Sequence, residues 1–389
     1  MSYQFYMPSR VLFGAGMLKK LHEQELPGKK ALIVISSGKS MRAQGYLDTL
    51  CAELEKAGVG YVIFDKILPN PIKTHVDEGS ALAKAEGCDF VIGMGGGSSI
   101  DSAKAIAVMA TNPGDYWDYI SGGSGKGRKV EIKPLPIVAI TTTAGTGTEA
   151  DPFTVITKED TQEKIGFGCD GTFPFLSIVD PELMASVPPH LTAYQGFDAL
   201  FHSTEGYLNK GASPISDVLT LKAIELVGSS LAKAVKDGGD MKAREDVALA
   251  NTLAGMVETL SGCISEHSIA HAMGAFYSNL PHGAALISIS CAYYENFIRK
   301  DACAQRLIDM AKALGKRDAA RPEDFVKALR GLQKACGVDN IELSSYGMKR
   351  EELADIAKNA RDTMGGLFAV DPAEVSDGDV LWILEKSYK

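Results

Sequence analysis

The chain has 389 residues, a formal net charge of −9 and 45% hydrophobic residues, which favours a globular protein of two domains with a sizeable core. Its charged residues are spread along the sequence rather than gathered into a basic patch, so we expect no nucleic-acid partner. We expect no membrane partner either, because no apolar run approaches the roughly 20 residues that a membrane span requires.

The cysteines and the N-terminus indicate a cellular compartment. Seven cysteines are well separated and form no C-x-x-C pair, which is typical of reduced thiols rather than disulfides. The N-terminus has no basic region followed by an apolar run, so no secretory signal is visible. The sequence therefore predicts a cytoplasmic protein.

Short β-branched runs alternate with helical patterns in the first half of the chain. Buried strands are predicted at 29–36, 60–65, 89–94 and 135–141. Helices are predicted in the stretch that ends near Ala57, at 76–87, and from the glycines at 95–97 to about Met109. Alternation of apolar strands and helices predicts an α/β domain with a parallel sheet covered on both faces.

The second half of the chain has a different pattern. After about residue 185, long segments such as 215–235 and 351–364 carry apolar residues at helical spacing, and strand patterns nearly vanish. We therefore predict an α/β dinucleotide-binding domain at 1–185, an all-helical domain at 186–389, and a cleft between them.

Two loops follow predicted strands and suit an anionic ligand. In "GMGGGSSIDSAKA" (93–105), glycines such as Gly96 and Gly97 let a ligand approach the backbone. Ser98 and Ser99 are expected to cap the next helix, whose N-terminus favours a pyrophosphate. The loop "AITTTAGTGTEAD" (139–151) follows the next strand. Open α/β sheets bind ligands at such strand ends, so a nucleotide-type cofactor is favoured over an ordinary turn.

The turn after the first strand bears on the type of dinucleotide. NAD-preferring sites place an acidic residue there, on the ribose 2′-hydroxyl. This chain has Ser36, Gly38, Lys39 and Ser40 in "IVISSGKSM", with no acid. Hydroxyls and a lysine suit a 2′-phosphate, so NADP(H) is favoured over NAD(H), although an ordinary polar turn is the alternative.

Four of the seven histidines occur in two short segments. Asp198 and His202 are four residues apart in a helical context, His267 and His271 have the same spacing, and His282 follows a turn. Each pair shares one helix face. A carboxylate with three imidazoles suits a divalent ion such as Fe²⁺ or Zn²⁺, although spacing alone does not show that the helices face one another.

The segments "GGGSSID", "TTAGTGTEAD", "GFDALFHSTEGYL" and "HSIAHAMGAFYSNLPHG" together resemble the iron-containing (group III) alcohol dehydrogenases, over essentially the whole chain. The resemblance implies a dehydroquinate synthase-like two-domain architecture, with a Rossmann-like N-terminal domain and the metal in the interdomain cleft. It also implies a homodimer or larger oligomer.

The resemblance also implies roles for individual residues. The family's metal ligands fall on Asp198, His202, His267 and His282, and His271 matches a histidine near substrate and nicotinamide that is not a ligand. The matched cofactor contacts are Asn70, Gly97, Ser98, Thr142, Thr143, Ala144, Gly145 and Lys164.

Two departures from the family pattern are visible. Ser36 stands where NAD-preferring members have Asp, which agrees with the preference for NADP(H). The segment between His271 and His282 is one residue longer than in many members, which is expected to alter the substrate pocket.

The predicted activity is hydride transfer between a small primary alcohol or diol, or its aldehyde, and NAD(P), with Fe²⁺ preferred and Zn²⁺ possible. His271 is expected to relay the proton between alkoxide and solvent. The alternatives are a metal-independent reductase similar to maleylacetate reductase, a glycerol dehydrogenase or dehydroquinate synthase of the same architecture, and a non-catalytic dinucleotide-binding protein. The complete ligand set argues against a metal-free enzyme.

Overall fold

The computed structural model describes residues 3–389, which form two compact units. The sheet unit comprises residues 7–143 and 147–186, and the helical unit comprises residues 3–6, 144–146 and 187–389.

The sheet unit is built on six parallel strands in the order β1-β8-β5-β4-β2-β3. These strands are β1 Arg10–Phe13, β2 Lys30–Ser36, β3 Gly60–Ile67, β4 Phe90–Gly95, β5 Ile137–Thr141 and β8 Leu176–Val179. A separate antiparallel hairpin joins β6 Thr154–Lys158 to β7 Glu163–Phe167. The β4 and β5 side chains are entirely buried, as expected for inner parallel strands.

Helices lie on this sheet and connect its strands. They are α1 Ser40–Ala43, α2 Tyr46–Lys56, α3 Lys73–Glu86 and α4 Gly97–Thr111. Leu47 and Leu50 of α2 belong to one core cluster with Ile33 and Ile92 of the sheet. Helix α4 packs so closely on β4 that a Cβ on Gly93 would lie 2.8 Å from the Ile100 Cα. The predicted parallel α/β fold is confirmed.

A fully buried lysine anchors the chain after β5. The Lys104 ammonium, on α4, donates to the Thr148 hydroxyl at 2.6 Å, the Asp151 carboxylate at 3.0 Å and the Phe153 carbonyl at 2.7 Å. Because a buried charge is tolerated only when it is paired and hydrogen-bonded, these bonds fix the segment that leads from β5 to the β6–β7 hairpin.

The helical unit contains ten helices within the described residues, which confirms the all-helical character predicted for the second half. They are α5 Pro189–Leu208, α6 Pro214–Lys236, α7 Met241–Leu260, α8 Ser265–Phe276, α9 His282–Arg299, α10 Ala304–Ala313, α11 Glu323–Ala335, α12 Leu353–Met364, α13 Gly366–Ala369 and α14 Asp377–Ser387. Helix α5 packs against α6, α7 and α9, and α8 packs against α9 and α12.

No single helix in the described part of the chain is long and apolar enough to cross a membrane. The pair α7 and α8, bent by 106°, passes the length and composition test only when the two helices are taken together.

Candidate metal centre and cofactor loops

The first predicted cofactor loop and the start of the second lie side by side in the sheet unit. The Thr142 N–H donates to the Gly95 carbonyl at 2.8 Å. A Cβ on Gly96 would lie 3.2 Å from the Thr143 side chain. The chain therefore presents small residues and hydroxyls together at the carboxyl ends of β4 and β5, where open α/β sheets bind ligands.

The start of α4 differs from the prediction in one respect. Ser98 and Ser99 are not the cap, because the N-cap is Gly96 and both serines lie in the first turn of the helix. The N-cap makes no side-chain hydrogen bond. Backbone N–H groups at an uncapped helix N-terminus favour an anion, which strengthens the expected role of Gly97 and Ser98.

Asn70 and Lys164 are far apart in sequence but meet in the structure. The Lys164 ammonium, on β7, donates to the Asn70 Oδ1 at 3.1 Å. Lys164 is buried. Their contact is consistent with one shared site, while a contact between either residue and a cofactor remains a prediction.

The turn after β2 borders an open cleft of about 470 Å³. Its lining residues are Ser36, Ser37, Gly38, Lys39, Arg42, Ala43 and Asp65. The Arg42 guanidinium donates to the Asp65 carboxylate at 2.7 Å, and both side chains are about half exposed. Ser40 opens α1 beside this turn. The sequence analysis missed both Arg42 and Asp65, since neither lies in the predicted turn.

The remaining two predicted cofactor residues belong to the helical unit. The Ala144 N–H donates to the Gln195 side chain at 3.4 Å, and the Gly145 carbonyl lies 3.3 Å from the His202 Nδ1. A Cβ on Gly145 would lie 2.9 Å from the Gln195 Cα. Both residues are therefore held against α5.

Three helices supply the predicted metal ligands. Asp198 and His202 lie one turn apart on α5, His267 lies in the first turns of α8, and His282 is the first residue of α9. Helix α5 begins at Pro189, with Pro188 as its N-cap, and Pro281 is the N-cap of α9, so each start suits the fixed φ of proline.

Asp198, His267 and His282 converge on one point. The Asp198 Oδ1 lies 3.6 Å from the His267 Nε2 and 3.5 Å from the His282 Nε2. These three residues each offer a ligand atom, and the atoms lie within 4.8 Å of one another. Two atoms that are each about 2.1 Å from a tetrahedral ion are about 3.4 Å apart, so the spacing suits a shared ion.

Hydrogen bonding in this cluster also fits a metal. The Asp198 Oδ1 and the His267 Nε2 are buried and have no hydrogen-bond partner. A buried polar atom without a partner costs about 1–3 kcal/mol, so such atoms are rare unless something else binds them. A carboxylate and imidazole nitrogens are the donor set that divalent first-row ions accept. The residues therefore fit a metal ion.

His202 adjoins this cluster through the His267 ring. The two imidazoles are stacked with centroids 4.3 Å apart, and the His202 Nε2 lies 3.6 Å from the Glu258 carboxylate. Burial, with the nearby His267, lowers the pKa of His202 to about 4. His202 is therefore neutral near pH 7, which is the form that binds metals.

A cysteine near the site was missed by the sequence analysis. The Cys263 thiol, a His202 nitrogen and a His267 nitrogen form a second group of possible ligand atoms within 4.8 Å. Burial raises the pKa of this thiol. Since the thiolate is the form that binds metals, Cys263 is a poorer ligand than Asp198 at neutral pH.

His271 lies next to the cluster of Asp198, His267 and His282. Its ring centroid is 6.1 Å from that of His267 and 5.0 Å from that of His282. The His271 Nδ1 lies 2.9 Å from the Met364 sulfur, at the end of α12. The structure therefore groups His271 with the predicted ligands.

Family models match almost the whole chain. The model described as "Iron-containing alcohol dehydrogenase" matches residues 8–181, and the one described as "Fe-containing alcohol dehydrogenase family, C-terminal" matches residues 192–388. The chain therefore belongs to the iron-containing alcohol dehydrogenase family.

Individual relatives agree with this assignment. The chain is 35% identical to alcohol dehydrogenase 4 of Saccharomyces cerevisiae over 99% of this chain and 98% of the relative. It is 36% identical to the NAD-dependent methanol dehydrogenase of Bacillus methanolicus over 92% of each chain. A mutant of an archaeal halo-thermophilic Red Sea brine pool alcohol dehydrogenase superimposes with a TM-score of 0.94 at 36% identity, over 100% of this chain and 99% of that one. These similarities support an oxidoreductase.

Proposed function

We propose that this protein is a metal-dependent alcohol dehydrogenase, with Fe²⁺ preferred, that transfers hydride between a small primary alcohol or diol, or the matching aldehyde, and NADP(H). The observation that carries the proposal is the cluster of Asp198, His267 and His282, with its two buried ligand atoms that have no hydrogen-bond partner. Zn²⁺ fits the same donor set.

The ion would be held by Asp198, His202, His267 and His282. When bound, it would act as a Lewis acid that lowers the pKa of the substrate hydroxyl. The side chains of Asp198 and His267 are almost fully buried. Burial keeps water away from them and strengthens their interaction with a cation.

His271 is proposed to move the substrate proton. Its Nδ1 lies beside the Met364 sulfur, a weak acceptor, and this contact favours a proton on that nitrogen. The Nε2 is then the basic nitrogen, and it can accept a proton from the alcohol and return it to an aldehyde-derived alkoxide.

The cofactor preference is proposed from the cleft after β2. Lys39 and Arg42 bring two cations to it beside the Ser36 hydroxyl, against one carboxylate, Asp65. Guanidinium and ammonium groups bind a 2′-phosphate well. The methanol dehydrogenase relative is NAD-dependent by name, so this proposal distinguishes the chain from that relative.

The substrate range is proposed by analogy with relatives. The chain is 35% identical to the 1,3-propanediol dehydrogenase of Klebsiella pneumoniae over 92% of this chain. Residues 1–185 are assigned to cofactor binding and residues 186–389 to metal binding and catalysis. A cytoplasmic homodimer or larger oligomer belongs to the same proposal.

The test is reduction of short aldehydes by anaerobically iron-loaded protein, with NADPH and NADH in parallel and a chelator-stripped control. Iron-dependent turnover that prefers NADPH is expected. Iron-dependent turnover that prefers NADH would keep the enzyme class and reject the 2′-phosphate argument. Turnover that is indifferent to stripping would favour a metal-free reductase, and cofactor binding without turnover would favour a non-catalytic protein.

The Arg42→Ala variant tests the cleft separately. It should raise KM for NADPH by about tenfold, the effect of losing one charge-assisted contact, and leave KM for NADH nearly unchanged. Lys66→Ala is the matched control, because Lys66 is also exposed and ion-paired on β3 but does not line the cleft. Equal effects of Arg42→Ala on both cofactors would contradict the assignment.

A further inference from the structure

Glu205 is a buried carboxylate that contacts a predicted metal ligand. It lies on α5, two turns beyond Asp198 and three residues after His202, and it is fully buried. One of its oxygens is hydrogen-bonded to the His267 Nδ1. The other accepts the backbone N–H of Ile264 at 2.8 Å and that of His267 at 3.4 Å.

These contacts determine how the His267 ring is presented. A carboxylate at Nδ1 favours the tautomer with the proton on Nδ1, which leaves the Nε2 lone pair available. That Nε2 is the atom 3.6 Å from the Asp198 Oδ1, and it has no hydrogen-bond partner. The contact therefore turns the basic nitrogen of His267 towards Asp198 and His282.

We propose that Glu205 is a positioning residue for the metal centre, which fixes the tautomer and orientation of His267 so that its Nε2 can bind the ion. The inference rests on the proposed function, because it presupposes that a metal binds between Asp198, His267 and His282. Carboxylates that hold a ligating histidine typically contribute about 10–100-fold to metal affinity.

A purely structural role for Glu205 is the competing explanation. Its second oxygen ties down the backbone at the start of α8, and such a cap would stabilise the helix whether or not a metal is bound. The two roles differ in what they change. A cap affects the stability of metal-free protein, whereas a positioning residue affects metal affinity.

The experiment compares Glu205→Gln with Glu266→Gln. Glu266 is also fully buried and lies next to His267 in the chain, but its carboxylate accepts a hydrogen bond from the Tyr294 hydroxyl at 2.7 Å. Affinities for Co²⁺ and Zn²⁺ are measured by competition with a chromophoric chelator. The melting temperatures of the metal-free proteins and their NADPH affinities are measured alongside.

Glu205→Gln should weaken metal binding by about 10–100-fold and change the visible spectrum of bound Co²⁺, while Glu266→Gln binds as wild type does. Equal metal affinity in Glu205→Gln and wild type, or equal losses in both variants, would overturn the inference. If wild type itself holds no metal at this site, the proposed function fails instead.

A measurement on wild-type protein tests the same proposal if the Glu205→Gln variant does not fold. Zinc-loaded wild type with ¹⁵N-labelled histidine should show the His267 ring protonated at Nδ1 and metal-bound at Nε2, with assignment by comparison with His267→Ala. Metal coordination through Nδ1 would overturn the inference, because Glu205 would then compete with the ion for that nitrogen.

Discussion

The His271 ring contacts a sulfur atom. Its Nδ1 lies 2.9 Å from the Met364 sulfur, at the end of α12. A thioether neither binds the proton strongly nor competes for it. This setting suits a group that must gain and lose a proton in each catalytic cycle.

His271→Ala should therefore lower kcat by about 100-fold, the lower end of what a positioned acid–base group contributes, while the metal content stays that of wild type. The pH profile of kcat should lose its dependence on this imidazole. His190→Ala is the control, since His190 is an exposed residue in the first turn of α5. A variant with unchanged kcat and pH profile would remove His271 from the mechanism.

The surroundings of Asp371 allow a prediction of how the stability of the protein depends on pH. Its Oδ1 accepts hydrogen bonds from the Tyr293 hydroxyl at 2.8 Å and the Ser265 N–H at 3.2 Å. Burial nevertheless raises the pKa of Asp371 to about 6. A carboxyl with a higher pKa in the folded state contributes stability below about pH 4, which is lost as the pH rises through 6.

Wild type should thus gain stability relative to Asp371→Asn as the pH falls from 7.5 to 4.5. The pKa values of about 6 and about 3.9 correspond to roughly 3 kcal/mol in total, of which about 2 kcal/mol is gained by pH 4.5, because that pH still lies above the unfolded-state pKa. Melting temperatures of both proteins across this range measure the effect, and the comparison cancels groups that titrate equally in both. A melting-temperature difference that does not vary with pH would contradict the prediction.

The close approach of helix α9 to helix α5 sets the position of His282. A Cβ on Gly283 would lie 2.2 Å from the Tyr194 backbone carbonyl oxygen, so only glycine allows this spacing. Since Asp198 belongs to α5 and His282 begins α9, the same contact fixes the separation of two proposed ligands.

Gly283→Ala should push α9 away from α5 and weaken metal binding by about tenfold or more, because sites of this kind tolerate displacements of only about 0.5 Å. The chelator competition assay measures this loss. Gly331→Ala is the control, since a Cβ at this exposed position of α11 would meet nothing within 4 Å. Unchanged metal affinity in Gly283→Ala would show that the contact does not position His282.

The elements that the sequence predicts well are those with strong local patterns. Strands β2, β4 and β5 are largely apolar runs and β3 contains one, and all four form within two residues of their predicted bounds. The sequence analysis missed β1 and β8, which have only four residues each, and the hairpin of β6 and β7, whose polar residues hide the strand pattern.

The candidate site also has features that follow from local sequence patterns and features that do not. Spacing predicts that Asp198 and His202 share a face of one helix, because that relation is local. It does not predict that α5, α8 and α9 meet, which depends on tertiary packing and entered only through the family resemblance. Glu205 was missed, because a glutamate in a helical pattern usually lies at the surface, and Arg42 was missed, because it lies outside the predicted turn.

The proposed metal ligands and most of the proposed cofactor residues belong to different compact units. All of the proposed metal ligands lie in the helical unit. The proposed cofactor residues belong to the sheet unit, except Ala144 and Gly145. The sheet unit has its own core and its buried Lys104 network, and neither of them includes a proposed metal ligand. Cofactor binding should therefore not require the metal.

Chelator-stripped wild type and His267→Ala should bind NADPH with affinities within about threefold of metal-loaded wild type, although both lack bound metal and activity. NADPH at 100 times its Kd should stabilise all three proteins by about 2.7 kcal/mol. Fluorescence titration and the melting temperature at fixed NADPH measure these effects. Loss of NADPH binding in both metal-free proteins would show that the metal centre organises the cofactor site. Full activity of His267→Ala with an occupied metal site would instead refute the ligand assignment, because α8 would then contribute no ligand at that position.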